Sequence, residues 1–289
     1  MIKKFELPRK GAFQIPTKDF FKLHCLLVAA GTRGAGKSVA ITNLLKTARD
    51  REYFDVIKLI TPTYNSNKPI WDICYINEED VIEPTKDCIK DFINFVDSEK
   101  KEWDEHLYKV EKYKDFMKDS KRNLNRIDED DLIYYFENDF INGKKPIWKY
   151  HKDKTPDHPP RIGLIIDDCL GTPIFANSSV GLLNLCIKHR HIGKGLGCSI
   201  FLLTQSYCST QGMPRPIREN CTILLLFKNK DEAQIKKICS EIGTDISVDK
   251  FMEYFKYATA EQYNFLTIDF NPSSKEKTFQ RNFTEFLDF

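Results

Sequence analysis

The eight residues GTRGAGKS, Gly31 to Ser38, leave this chain few folds to choose from. They satisfy the spacing G-x-x-x-x-G-K-[ST] and stand directly after the apolar run KLHCLLVAA. They lead into VAITNLLKTARD, whose apolar residues recur at helical spacing with basic residues near its end. A strand, a glycine loop and a helix in that order turn backbone N–H groups inward around phosphate oxygens, and the first helical turn adds partial positive charge. Gly31, Thr32, Gly34, Ala35, Gly36, Lys37, Ser38 and Val39 are therefore the expected nucleotide contacts. Lys37 is expected to reach the β- and γ-phosphates of ATP, and Ser38 a Mg²⁺ ion. Arg33 and Ala35 occupy variable positions of the loop, and their side chains receive no assigned role.

The remaining elements extend that unit into an α/β domain. VIKLITPTY, from Val56, reads as a second strand closed by Pro62, which completes a strand, helix, strand unit of a parallel sheet by about Tyr64. IGLIIDD, CSIFLLTQ and CTILLLFK are further apolar strands, and their lack of strict alternation predicts a sheet covered on both faces. SVGLLNLCIKHRH, DEAQIKKICSEIG (closed by Gly243) and VDKFMEYFKYAT predict helices, and YNFLTIDF a last strand. The expectation is one domain over residues 1–289 with two peculiar segments. Residues 78–142 are densely charged, carry aromatics at helical spacing and hold Pro84 as their only proline, so they read as helices inserted between core strands. Such helices form either a solvated face or, since Lys100 to Arg126 is locally basic, a subunit or DNA contact. Residues 271–289 are a polar tail with Phe283, Phe286 and Phe289, which docks on a neighbour or covers its own domain.

Composition excludes several classes. The 44 Lys and Arg nearly cancel the 42 Asp and Glu, so a nucleic-acid surface has to be local rather than global. CLLVAAG, SIFLLT and TILLLF fall far short of the roughly 18 apolar residues of a membrane span, and MIKKFELPRKGAFQ lacks the apolar core of a secretory signal. A cytosolic-type compartment is expected. None of the 9 cysteines is spaced as C-x-x-C, and most lie in apolar runs, which reads as buried reduced thiols rather than zinc ligands. His189 and His191 are followed by no partner at metal-ligand spacing.

Hydrolysis requires an acid on a neighbouring strand beside the metal, and a group that orients the attacking water. LIIDD, Leu164 to Asp168, supplies both: Asp167 for the metal and Asp168 for the water, although two acids at a strand end also cap turns. CSIFLLTQS places Thr204 and Gln205 at the carboxyl end of a strand, where open parallel sheets form their ligand crevice. Gln205 there contacts the water or the γ-phosphate, or serves a turn.

In this order the motifs resemble those of the FtsK/HerA superfamily of ring-forming DNA pumps, and specifically the genome-packaging ATPases of large DNA viruses and their virophages. The resemblance runs from Leu23 to about Phe227. GTRGAGKS resembles the Walker A loop, LITPTY the second strand with its Pro-Thr pair, LIIDD the Walker B strand, and KHRHIGKGLGCSIFLLTQSY an Arg-containing helix before a sensor strand ending in Gln. PRPIRENCTILLLFKNKDE resembles the following basic turn and strand. The resemblance implies a RecA-like P-loop core with the sensor strand between the Walker A and Walker B strands. It implies an arginine finger supplied in trans, with Arg190 the leading candidate, then Arg218 and Arg215. It also implies a ring of five or six subunits, double-stranded DNA bound without base readout, a capsid vertex or portal-like partner, no membrane, and a place in the viral factory of the host cytoplasm or in the virion. One departure is Asp168, where many relatives in the wider superfamily carry Glu. The alternatives are a HerA-like or conjugation-like cellular translocase, a nucleotide or small-molecule kinase with an acceptor pocket and an arginine-rich lid, and a scaffold that binds nucleotide without turnover. The intact Lys37, Asp167 and Asp168 speak against the scaffold, and the Asp-Asp and Thr-Gln strands favour a hydrolase over the kinase.

Overall fold

The computed structural model describes residue 17 and residues 20–119, 127–153, 155–169, 171–176, 179–208, 213–229, 231–242 and 246–287. Five buried strands form the centre of one sheet: β1 (Leu26–Ala30), β2 (Val56–Ile60), β4 (Ile162–Ile166), β5 (Ser199–Thr204) and β6 (Ile223–Phe227). A short strand β3 (Val81–Ile82) lies at one edge, and β7 (Phe265–Asp269), β8 (Phe279–Arg281) and β9 (Glu285–Phe286) extend the other. The order is β3-β2-β4-β5-β1-β6-β7-β8-β9. Pairings from β3 across to β6 are parallel, and those from β6 to β9 are antiparallel. β1 and β2 are thus parallel members of one sheet without being neighbours, because β5 and β4 intervene.

Both faces of the sheet are covered, as the unbroken apolar strands require. On one face Leu27, Ala29, Leu59, Ile165, Phe201 and Leu225 pack against Ile41 and Leu45 of α1 (Lys37–Asp50) and Trp71 of α2 (Tyr64–Asp72). On the other, Val28, Leu164, Leu202 and Leu224 meet the start of α3 (Cys88–Asp119). That face also carries α5 (Pro173–Ala176), α6 (Ser179–Lys188), α7 (Ile192–Gly195), α8 (Arg215–Asn220), α9 (Glu232–Ile242) and α10 (Val248–Ala258). The second strand ends at Ile60 rather than Pro62, and its TPTY tail is the turn that starts α2. Gly243, Phe289 and residues 120–126 of the basic stretch lie outside the described residues.

The inserted segment lies between β2 and the strand carrying the acid pair. It contributes β3, the 32-residue α3 and α4 (Glu129–Glu137). At 1.5 Å per residue α3 is roughly 48 Å long, far longer than the strands of five or six residues at the centre of the sheet. Its first turns bury Cys88, Ile89, Phe92 and Val96 in the main core. Further along, Trp103 and His106 pack on Trp148 with ring centroids 5.0 and 5.1 Å away, and Phe116 meets Tyr135 at 5.2 Å. The loop from Gly143 is held to this helix by Lys149, which bridges Glu99 and Glu102, both at 2.7 Å.

The tail covers its own domain through residue 287: Phe279 is fully buried against Phe251 and Tyr254, and Phe283 packs on Phe21 and Phe265. Phe286 stays 47% exposed. All 9 cysteines are buried, and desolvation holds their thiols above the ordinary range. No helix among the described residues is long and apolar enough to cross a membrane.

Candidate nucleotide site

Every expected phosphate-site residue sits at the carboxyl ends of β1, β4 and β5, the crevice side of the parallel sheet. The loop leaves β1 at Gly31, whose N–H donates to the Thr204 carbonyl at 3.2 Å and ties loop to sensor strand. Glycine is required at 31 by space: a Cβ there would lie 2.5 Å from Cβ of Phe227. Gly36, just before α1, is required by conformation, with φ of 95°. Lys37 folds back over the loop and donates from Nζ to the carbonyls of Gly31 and Thr32 at 2.8 and 3.1 Å.

The acid pair stands opposite. Asp167 ends the buried run of β4, its N–H donating to the Ile60 carbonyl, and its Oδ2 accepts from Oγ of Ser38 at 2.8 Å. Two hard oxygens brought together in this way, one from the loop and one from the neighbouring sheet segment, match the donor set that Mg²⁺ takes, so the residues fit the ion. Burial raises the Asp167 carboxyl above its ordinary range, against the pull of Ser38 and Lys37. Burial likewise lowers Lys37, against the pull of both aspartates.

Asp168 is exposed where Asp167 is not, because the chain turns there with φ of 52°, a left-handed conformation that Asp adopts more readily than most residues. The turn aims its carboxylate back at β5, where Nε2 of Gln205 donates to Oδ1 at 3.4 Å. Asp167, Asp168, Thr204, Gln205, Lys37 and Ser38 thus line one cleft of about 370 Å³. Val39, the third residue of α1, is 47% exposed.

Four polar residues without an assigned role line the same cleft. Arg33 of the loop is one, and it has no ion pair or hydrogen bond among the described residues. Thr63, Ser66 and Asn67, at the start of α2, are the others, with Nδ2 of Asn67 donating to Oγ1 of Thr63 at 3.2 Å. The Thr-Pro-Thr after β2 was the available signal. β2 is adjacent to β4, so its exit turn faces the acid pair, a juxtaposition that needs the strand order to be known.

The arginines lie elsewhere. Arg190 is not on a helix: α6 stops at Lys188, and left-handed Gly193, Lys194, Gly195 and Gly197 prevent its continuation. Arg190 occupies the turn before β5, so the six-residue strand separates it from Gln205, roughly 20 Å at 3.3 Å per residue. Its guanidinium has no ion pair or hydrogen bond among the described residues. Arg218 is committed within its own subunit: Nε and Nη2 donate to Glu241 at 2.9 and 3.1 Å, and Nη1 donates to the Met213 carbonyl. Arg215 is exposed and pairs with Glu219 at 2.8 Å.

A mainly parallel sheet with the glycine loop after β1, an acid pair after β4 and the Gln-ended β5 between them has the topology of a RecA-like P-loop fold. No protein-family model matches the chain, and no curated protein matches it. Solved structures similar to it include the genome packaging NTPase B204 from Sulfolobus turreted icosahedral virus 2 in complex with ATP-γS, at 14% identity over 94% of this chain and 100% of that one, TM-score 0.43. The pCW3 conjugation coupling protein TcpA with ATPγS is similar at 12% identity over 86% of this chain and 59% of that one, TM-score 0.41. ATPases 2 and 3 of EssC from Geobacillus thermodenitrificans are similar at 13% identity over 90% and 39%, TM-score 0.45.

Proposed function

We propose that the chain is a Mg²⁺-dependent ATPase that assembles into a ring of five or six subunits and drives double-stranded DNA into a preformed viral capsid. The observation that carries the ATPase reading is the contact between Ser38 and Asp167 at 2.8 Å, with Asp168 and Gln205 closing the same cleft. The DNA-pumping reading is supported by the five motifs standing in the order found in genome-packaging ATPases.

In this reading Lys37 exchanges the carbonyls of Gly31 and Thr32 for the β- and γ-phosphates. Backbone N–H groups from Gly34 to Ser38 take the remaining phosphate oxygens, and Arg33 adds positive charge at the rim. Mg²⁺ held by Ser38 and, through water, by Asp167 would neutralise charge on the transferred phosphoryl group. Asp168 polarises the attacking water and Gln205 orients it. Arg190 has no reach to its own loop and serves a neighbour's, so turnover depends on ring closure. Arg218 is the weaker candidate because Glu241 holds it. DNA is gripped through its phosphates.

The test is the ATPase rate with and without double-stranded DNA across protein concentrations. Stimulation by DNA that rises with assembly supports the motor. Indifference to DNA together with phosphate transfer to a small acceptor would replace it with a kinase. Asp168→Asn is expected to bind ATP and to hydrolyse it roughly 10² to 10⁴ times more slowly, the usual loss with a general base. Lys37→Ala should lose binding or turnover, and normal hydrolysis in both variants would refute the site.

A further inference from the structure

A second cavity of about 300 Å³ lies on the other flank of the phosphate loop, above the ends of β6 and β7. Thr32 to Ala35 form its floor toward the loop, Lys228 its β6 side, and Gln262 and Tyr263 its β7 side. We propose that this cavity is the nucleoside subsite, in which the Tyr263 ring stacks on a purine base. The inference rests on the nucleotide reading of the loop.

Direction comes first. A triphosphate cradled by the loop must send its nucleoside away from the cleft holding Asp167, Asp168 and Gln205, where metal and water are needed. The second cavity lies against the other flank of the loop, and among the described residues the two cavities share Arg33 and Gly34 alone. The wall is the second point. Tyr263 is aromatic, 59% exposed and held at φ of 69°, a conformation rarely taken by a bulky residue. Its ring lies against the loop itself: a Cβ on Gly36 would be 3.2 Å from Cδ1 of Tyr263. Although it lies over Gly36, the ring stays 59% exposed beside the phosphate loop, and base stacking needs such exposed aromatic surface. The third point is which polar groups are spare. Asn264 is engaged with Glu261 and Asn282, and Asn229 with Gln234 and the Asp231 N–H. Gln262 and Lys228 have no hydrogen bond among the described residues and are exposed, which leaves an amide and an ammonium for the base edge or ribose. Stacking that does not depend on a fixed hydrogen-bond pattern favours the larger purine surface over pyrimidines.

Binding of ATP, CTP and inorganic tripolyphosphate, each with Mg²⁺, to the full chain and to Tyr263→Asn, Tyr263→Phe and Lys37→Ala tests this. Asn accepts the left-handed backbone without supplying a ring, so it separates stacking from loop geometry. Stacking lost at one base corresponds to roughly 5- to 100-fold in affinity. The expected result is ATP binding weakened by that factor in Tyr263→Asn, the ATP over CTP preference of the wild type abolished, tripolyphosphate unchanged, and Tyr263→Phe close to wild type. Equal weakening of tripolyphosphate in Tyr263→Asn would make the ring a prop for Gly36 and overturn the subsite. Unchanged ATP affinity would overturn it as well. If Lys37→Ala binds tripolyphosphate as the wild type does, the phosphate-site reading itself fails, and the subsite with it.

Discussion

Gly31 and Asp168 illustrate two different demands that the site makes on single residues. At Gly31 the demand is volume, since the Cβ of Phe227 occupies the space a side chain would need. Gly31→Ala is expected to destabilise by about 1–3 kcal/mol, as overpacking usually does, and to distort the loop. Urea denaturation alongside nucleotide binding checks both effects, and an unchanged midpoint would contradict the geometry. At Asp168 the demand is direction, because a left-handed turn swings a short carboxylate toward Gln205. Asp168→Glu should therefore lower turnover, since the longer side chain overshoots an arrangement built for Asp. Measured hydrolysis equal to wild type would show that reach does not limit this position. The residue types of the site were legible in the sequence because loop and acid pair are contiguous motifs. Arg33 was not, since its side chain gains meaning only from the cleft it enters, and Thr63, Ser66 and Asn67 required the adjacency of β2 and β4.

Among the elements, α3 and its partners behave as a body with a small core of its own. Phe140, 2% exposed, packs on Tyr113, Phe116, Tyr134 and Tyr135, while the sheet contributes none of these rings. Phe140→Ala should cost the arm about 3–5 kcal/mol. Hydrogen exchange should then speed up across α4 and the outer half of α3 but not across β1, β4 and β5, and nucleotide binding should persist. A uniform loss of protection would show instead that the arm and the sheet unfold as one. Helices were readable in this segment from aromatic spacing alone, whereas the edge strand β3 was not: two residues carry no periodicity, and Val81 and Ile82 become a strand only beside Leu59 and Ile60. The same reason hid β8 and β9 in a segment that read as a polar tail.

For the whole molecule, the two ends of the central strands differ: the phosphate cleft lies at the carboxyl ends of β1, β4 and β5, and His24, His189 and Arg190 lie before the amino ends of β1 and β5. His24 and His189 are 3% and 1% exposed, and Nδ1 of His24 has no hydrogen-bond partner among the described residues. Burial, helped by mutual repulsion and by Arg190, lowers His24 to about 4, and burial with Arg190 lowers His189 to about 4 despite its bond to the Cys186 carbonyl at 2.7 Å. The folded values lie below the ordinary 6.5, so the neutral rings are favoured by folding. Their contribution is complete above about pH 6.5 and is lost as pH falls toward 4, at up to about 1.4 kcal/mol per pH unit for each ring. Unfolding free energies measured across that window should fall, and the slope should be shallower in His189→Gln; a flat wild-type profile would contradict it. At the same amino end, Arg190→Ala should lower turnover and be rescued in rings mixed with subunits that keep Arg190 but carry Lys37→Ala. Failure of every mixed ring would move the finger elsewhere.

What the sequence determined by itself was local and periodic: a phosphate loop between strand and helix, buried strands without alternation, and an acid pair and a Gln at strand ends. Those follow from chain-neighbour geometry, in which spacing alone sets which groups share a turn or a face. The place of β5 between β1 and β4 is the one the family resemblance implies, not one that periodicity or spacing shows. Tertiary structure brought Gln205 to Asp168, set the turn after β2 into the cleft, stopped the helix short of Arg190, and brought Tyr263 from the far end of the chain against Gly36. These contacts join residues tens to hundreds of positions apart, and no period or spacing in a sequence encodes them, because they arise only when both faces of the sheet are buried together.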